Sequence, residues 1–336
     1  MGEGRSPRTP WVGVSSNTDT HPTMLRPAAT ALLALSLPLA AQSGSPAAYE
    51  IDVLVPSLAP FNLGFGASVQ TDGLRAIAGA LRNPPTQASI GRAWILDQAI
   101  GGGWEVGAEL DPGFSTDGSD YARAVAIQGD IALVGAPFAG TGGAVHSFVK
   151  NTLDDSWKFS QTIVPMQTQA FDRFGWSISI DNDQVLVGAP GRRTSPVGGA
   201  TGAGILLQIE SDGVLKEIAV LEQQVGSAVE AAGRSVSLQG DLAALGAPDG
   251  NSNFTGGAAL VFSRDDNDKW SKGTTLLPGD SAPNDDFGAS IGLDGKQLLV
   301  GAPLTDSLAI NEGTVYVFER TTEDEWSETG SLSSPV

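Results

Sequence analysis

The chain has no cysteine among its 336 residues, which excludes disulfides, thiolate nucleophiles, Cys-ligated metals and a lipidated cysteine together. Packing and backbone ladders must hold the fold. The absence does not assign the chain to the cytosol, because exported bacterial proteins also do without cysteine. Histidine is nearly missing too: of two in the chain, only His146 lies beyond the first 23 residues. A Ser-His-Asp triad would hang on that one residue, and a multi-His metal site is excluded. His146 falls in a strand-like run and is expected to be structural.

Basic residues are scarce. Lys plus Arg number 19 against 38 Asp plus Glu, a balance of −19, so nucleic acid and anionic membrane surfaces would be repelled and are excluded as partners. The acidic residues are dispersed and read as a solvated surface. Phosphate-loop chemistry is missing as well, since glycine-rich stretches such as Gly101 to Gly103 do not sit between a strand and a helix. The longest apolar run, Ala28 to Ala40, is too short to span a bilayer. With Arg26 before it and Ala41 at a cleavage point, it reads as an export leader over 24–41. Residues 1–23 are then expected to be an upstream extension with translation starting at Met24, residues 42–47 a linker, and the product secreted, periplasmic or on the cell surface.

What the chain has in abundance is glycine, 43 residues, with 20 prolines, and no period of three, which points to many tight turns between short strands. Gly-Ala-Pro occurs at Gly135, Gly188, Gly246 and Gly301, with a degenerate copy at Gly79, at intervals of 56, 53, 58 and 55 residues. Upstream stand Phe65-Gly66, Tyr121-Ala122, Phe174-Gly175, Ala232-Gly233 and Phe287-Gly288, and in all five the second residue precedes the later glycine by 13. Between the marks lie two Val/Ile/Leu-rich runs split by a short turn such as Gln239-Gly240-Asp241, the pattern of a hairpin. A third run opens with glycine (GRAWIL, GAVHSF, GILLQI, GAALVF, GTVYVF), and a fourth starts at Trp104, Trp157, Leu215, Trp270 or Trp326.

Each unit is therefore four antiparallel strands, A to D, and the prediction is an all-β fold, a β-propeller with five recognisable blades at about 61–110, 118–165, 171–222, 230–278 and 284–332 within a domain over 48–336. The Phe of Phe-Gly is expected to pack between blades, and the Gly-Ala pair to let backbones crowd where blades converge. A further strand-like stretch, Tyr49 to Val55, is expected beside the last blade.

These residues resemble the FG-GAP repeat family, best known from the N-terminal propellers of integrin α chains. The resemblance implies a β-propeller, commonly of seven blades, serving adhesion or ligand binding outside the cell. Integrin-like blades carry calcium in long Asp-rich A–B loops, but the A–B turns here are minimal, as at Asp181-Asn182-Asp183 and Asp294-Gly295-Lys296, and cannot supply six oxygens. No calcium, other metal or cofactor is expected. The acidic cluster Asp265-Asp266-Asn267-Asp268 reads as a solvated loop, and Asn253-Phe254-Thr255 as a glycosylation sequon.

The B–C loops are longer and vary between blades, which makes their face the expected ligand face, around Arg192, Arg193, Asp249, Asn251, Asp306 and Asn311. The leading expectation is a non-enzymatic module, without catalytic residues, that binds an extracellular protein or glycan. The alternatives are a propeller enzyme using carboxylates on a glycan, and a structural part of a larger assembly.

Overall fold

The computed structural model describes residues 64–81, 91–99, 103–116, 118–193, 200–223, 230–248, 256–280, 282–306, 311–322 and 325–333. The expected leader, its flanks and the stretch Tyr49 to Val55 lie outside them, as do the sequon, Asp249 and Asn251. Among the described residues, twenty strands form five four-stranded antiparallel sheets, each in chain order A-B-C-D. Blade 1 is β1 (Phe65–Thr71), β2 (Arg75–Ala80), β3 (Arg92–Gln98) and β4 (Trp104–Glu109); blade 2 is β5 (Val125–Gln128), β6 (Ile131–Ala136), β7 (Ala144–Lys150) and β8 (Trp157–Ile163). Blade 3 is β9 (Ile178–Asp181), β10 (Gln184–Ala189), β11 (Ala203–Ile209) and β12 (Leu215–Glu222). Blade 4 is β13 (Ser235–Gln239), β14 (Leu242–Ala247), β15 (Ala258–Arg264) and β16 (Trp270–Leu276). Blade 5 is β17 (Ser290–Asp294), β18 (Gln297–Ala302), β19 (Thr314–Arg320) and β20 (Trp326–Ser333). The architecture is the five-bladed β-propeller the repeats predict.

The A–B hairpins of blades 2 to 5 close on two residues, the first with a positive φ: Gly129 (56°), Asn182 (53°), Gly240 (58°) and Gly295 (58°). That backbone matches the right-handed twist of the strands and favours glycine or asparagine. The turn glycines also serve the neighbouring blade. Gly240 N–H donates to Asp181 Oδ2 (2.6 Å), Gly295 N–H to Gln239 Oε1 (2.6 Å), and Gly129 N–H to Asp72 Oδ2 (2.9 Å).

The constant spacing of 13 has a direct cause. At the open end of each hairpin the two marked glycines face each other, and the N–H of the first donates to the carbonyl of the second: Gly175 to Gly188 (3.1 Å), Gly233 to Gly246 (3.0 Å), Gly288 to Gly301 (3.0 Å). An insertion in either strand or in the turn would separate them.

The same glycines make the blade junctions. A Cβ added at Gly135, Gly188 or Gly246 would stand 2.1, 2.0 and 2.0 Å from the carbonyl oxygen of Gly175, Gly233 and Gly288 in the next blade. Only a bare backbone fits there. Ser177 and Ser235 donate from Oγ to the Gly233 and Gly288 oxygens, 2.8 Å each, and Ser68 does so to Ala122 O at 2.9 Å. Around this backbone seam the apolar faces close over one another. Leu133, Val145 and Ile163 of blade 2 pack on Phe174, Val185 and Ile205 of blade 3; Ala244, Ala259 and Leu276 of blade 4 pack on Phe287, Val300 and Tyr316 of blade 5. Phe174 and Phe287 are fully buried, as the inter-blade reading of this position requires.

Four such junctions are made. Gly246→Ala should therefore cost about 2–3 kcal/mol, since the methyl group meets the Gly288 backbone of the next blade as well as the Ser235 hydroxyl, and overpacking carries costs of that size. Gly301→Ala, whose added Cβ has its own strand partner Ser290 as nearest neighbour, with the hydroxyl the one atom within 3.5 Å, should cost less than about 1 kcal/mol. Urea denaturation of the two variants beside the parent chain measures the difference, and equal losses would contradict the assigned role of the glycine.

Candidate functional site

Strand A of each blade is preceded by a tight turn whose geometry the repeat imposes. The residue before the aromatic position is left-handed in every blade: Gly64 (61°), Asp120 (51°), Arg173 (59°), Ala231 (58°) and Asp286 (57°). Four of these turns close by a backbone hydrogen bond from the residue after the glycine position, Ala67 to Gly64 (3.1 Å), Arg123 to Asp120 (3.0 Å), Arg234 to Ala231 (3.2 Å) and Ala289 to Asp286 (3.0 Å). This turn sets the direction in which the residue after the glycine leaves the chain. In the five blades that residue is Ala67, Arg123, Trp176, Arg234 and Ala289.

In blades 2, 3 and 4 these side chains meet. The Arg123 guanidinium lies 3.9 Å from the centre of the Trp176 ring, that of Arg234 4.6 Å and that of Arg173 5.6 Å. Arg173 also stands 5.7 Å from the ring of Phe138, in the B–C loop of blade 2, which meets Trp176 edge to face at 6.3 Å. The cluster thus lies on the face of the long loops. Stacking on an indole orients a guanidinium and compensates part of its lost hydration. Burial lowers the proton affinity of Arg123; the nearby Asp120 carboxylate opposes this, and the charges of Arg234 and Arg173 add to it. All three remain charged. Asp120, with Oδ2 3.9 Å from Arg123 Nη1, is the one carboxylate paired with the group among the described residues. In a chain of net charge −19, this is a local excess of positive charge, suited to a phosphate or carboxylate.

Two clefts flank the cluster. One, of about 480 Å³, is lined by Phe114, Phe138, Thr141, His146, Thr162 and Thr168 among others. His146 itself is buried, with Nδ1 3.0 Å from Thr162 Oγ1 and its ring against Phe114 (5.4 Å), Tyr121 (5.6 Å) and Phe159 (6.3 Å). Burial depresses its pKa to about 4, so it is neutral at pH 7. At this strand position the other blades carry Trp94, Ile205, Leu260 and Tyr316, and the imidazole occupies a core slot. The other cleft, of about 320 Å³, brings Arg193 together with Arg173 and Glu230.

Of the ligand-face residues expected from sequence, Arg193 alone adjoins the arginine cluster. Arg192 is a correction: it is buried, its Nη1 donating to Gln167 O (2.8 Å) and standing 3.4 Å from Asp172 Oδ2, so its charge is held inside blade 3. Burial raises the Asp172 carboxyl, against the Gln169 N–H and Arg192. Asp306 accepts from Asn311 N–H (2.6 Å) within the B–C loop of blade 5, an internal turn. The cluster residues Arg123, Trp176 and Arg234 stand outside the variable loops, in a column whose length and spacing do not change from blade to blade. A signal was available: one repeat column, directly after the glycine, holds two arginines and a tryptophan in an acid-rich chain.

Residues 157–203 and 270–318 match the FG-GAP repeat, and the chain carries FG-GAP repeats. No curated protein matches it in sequence. Among solved structures, it is similar to a "putative 6-phosphogluconolactonase" from Bacteroides uniformis, with a TM-score of 0.52, 10% identity, and coverage of 80% of this chain and 85% of that one. A second protein of the same description, from Bacteroides fragilis, gives a TM-score of 0.42 and 13% identity over 80% of this chain and 84% of its own.

These findings correct the expectation of a non-enzymatic adhesion or binding module. That reading was drawn from the adhesion propellers that the repeats resemble. The repeat match carries only the propeller, and the solved propeller sharing this fold is described as an enzyme. Fold does not select adhesion over catalysis.

His146 supplies a pH test of its assigned place. Its folded pKa of about 4 lies below the unfolded value near 6.5, so the unfolded chain binds the extra proton first as pH falls. The stability it contributes is complete above pH 6.5 and is lost between about pH 6.5 and 4, by about 3 kcal/mol at most. Denaturation across this range should show the slope, and His146→Leu should remove that part of it.

Proposed function

We propose that the protein is a propeller enzyme whose substrate is a small molecule bearing a phosphate or carboxylate, seated on the long-loop face at Arg123, Arg173 and Arg234. The observation that carries this reading is the convergence of three guanidiniums on one indole, with Asp120 the one carboxylate ion-paired to them among the described residues, in a chain of net charge −19. An isolated excess of like charge is unfavourable unless an anion relieves it. The reading is supported by the neighbours of the cluster, Phe138 and the hydroxyl-lined cleft, which suit the uncharged body of a small polar ligand.

The chemistry that fits is hydrolysis of an ester or lactone. Guanidiniums oppose the negative charge that develops on the carbonyl oxygen, and Asp120 serves as the general base that takes a proton from water. This keeps the carboxylate of the earlier enzyme alternative and replaces its glycan with an anionic substrate. The description of the B. uniformis propeller makes 6-phosphogluconolactone the first compound to assay.

Inorganic phosphate at ten times its Kd should stabilise the parent chain by about 1.4 kcal/mol, and Arg234→Gln should abolish that effect. In the assay, Asp120→Asn should lower kcat at least about 100-fold, while Arg234→Gln raises KM. Phosphate binding unaltered in Arg234→Gln, or no turnover of phosphorylated or carboxylated lactones and esters, would overturn the proposal.

A further inference from the structure

Three residues before the aromatic of the repeat, the turn into strand A passes through a left-handed backbone a first time: Gly118 (71°) in blade 2, Phe171 (70°) in blade 3 and Asn284 (72°) in blade 5. In each of these blades the turn is closed by the residue after Gly-Ala-Pro, whose N–H donates to the carbonyl of the residue two before the aromatic: Phe138 to Ser119 (3.1 Å), Gly191 to Asp172 (3.0 Å) and Leu304 to Asp285 (3.2 Å). The repeat thus imposes this φ. Glycine and asparagine adopt it readily, whereas a bulky side chain does so under strain.

Blade 3 places a phenylalanine there. Its backbone is pinned from both sides: the N–H donates to Thr141 O in the B–C loop of blade 2 (2.9 Å), and the carbonyl oxygen stands 1.8 Å from where Gly191 would carry a Cβ. The ring is not buried in return. Phe171 is 75% exposed, so packing does not offset the strain. A strained backbone over-determined by its surroundings points to a use in ligand contact.

The surroundings of the ring define that use. Phe171 lines the cleft of about 320 Å³ together with Arg173, Pro190, Arg193 and Glu230. Two guanidiniums against one carboxylate leave this cleft positive. Arg173 also belongs to the group around Trp176, 5.6 Å from its ring centre, so the cleft opens directly on the arginine cluster. Its volume is at the small end of ligand sites, enough for one ring and its substituent. A phenyl face offers stacking to another flat ring, and the guanidiniums beside it hold an anion.

We infer that this cleft is the subsite for an aromatic ring, stacked on Phe171, of a ligand whose anionic group lies on Arg173 and its neighbours. The inference rests on the arginine cluster as the seat of the anion, and it narrows the anionic esters and lactones of that reading to those carrying an aromatic ring. An aliphatic ligand would be held by the guanidiniums alone and would leave the strained ring without a role.

The test compares phenyl phosphate with inorganic phosphate by calorimetric titration of the full chain. Phenyl phosphate should bind the parent at least about fivefold more tightly, the size of one aromatic stacking contact. Phe171→Asn installs the residue that blade 5 carries at this position, and Phe171→Gly that of blade 2, so both should melt at or above the parent temperature. Both should lose the preference for phenyl phosphate while their affinity for inorganic phosphate stays with the parent, and Phe171→Tyr should keep the preference. Equal affinity of the parent for the two compounds, or a preference that survives in Phe171→Asn, overturns the ring subsite and leaves the anion site standing. Binding of neither compound overturns both. A lower melting temperature in both Phe171→Asn and Phe171→Gly also overturns the inference, because the ring would then be serving the fold.

Discussion

The structure depends on one contact, the approach of a strand B glycine to the carbonyl oxygen of the glycine position in the next blade. At about 2 Å from the place of a missing Cβ, no side chain can intervene, and the strand A backbones come close enough for serine hydroxyls and turn glycines to bridge them. Because the same strand B glycine also closes its own hairpin, one residue couples the register within a blade to the distance between blades. The apolar clusters then fill the wedge that opens outward from this seam. Packing supplies most of the energy, but the glycines decide which surfaces can meet.

That coupling also fixes what can stand around Trp176 on the long-loop face. The residue after the first glycine leaves a backbone whose direction is set on both sides, by the left-handed turn before it and by strand A after it. Arg123, Trp176 and Arg234 are accordingly held by regular structure, unlike the longer B–C loops outside them. Groups held this way keep their geometry before a ligand arrives, which limits the reorganisation that binding or charge stabilisation requires. The positions with the greatest sequence variation in length were the natural place to seek a site; the more rigid column inside them is where the opposed charges gather.

The fold was legible in the sequence almost strand by strand. The spacing of 13, the turns between the first two runs, and the tryptophans that open β4, β8, β16 and β20 are local features, each dictated by a hairpin or a ladder that neighbouring residues form. The site was legible only in part. Arg193 reaches the edge of the cluster, but Arg192, one residue away, turns inward to Asp172, and nothing local separates the two, since their fates depend on which residues of blade 3 lie beneath them. Arg123 and Arg234 are 111 positions apart, and they meet only because blades 2 and 4 pack on either side of blade 3. The exposure of Leu299 and Leu332 was invisible for the same reason, since they read like every other strand leucine.

The charged cluster is a product of the central blades. At the column after the first glycine, blades 2, 3 and 4 carry Arg123, Trp176 and Arg234, whereas the end blades carry Ala67 and Ala289. Asp120, Arg173 and Phe138 belong to the entries and loops of blades 2 and 3 as well. All the side chains that make the charged cluster are thus supplied across the two central junctions, where the backbone seam and the apolar packing are both complete. The wall that holds them is therefore built by the same contacts that hold the blades together, and a change that loosens either junction should displace the cluster with it.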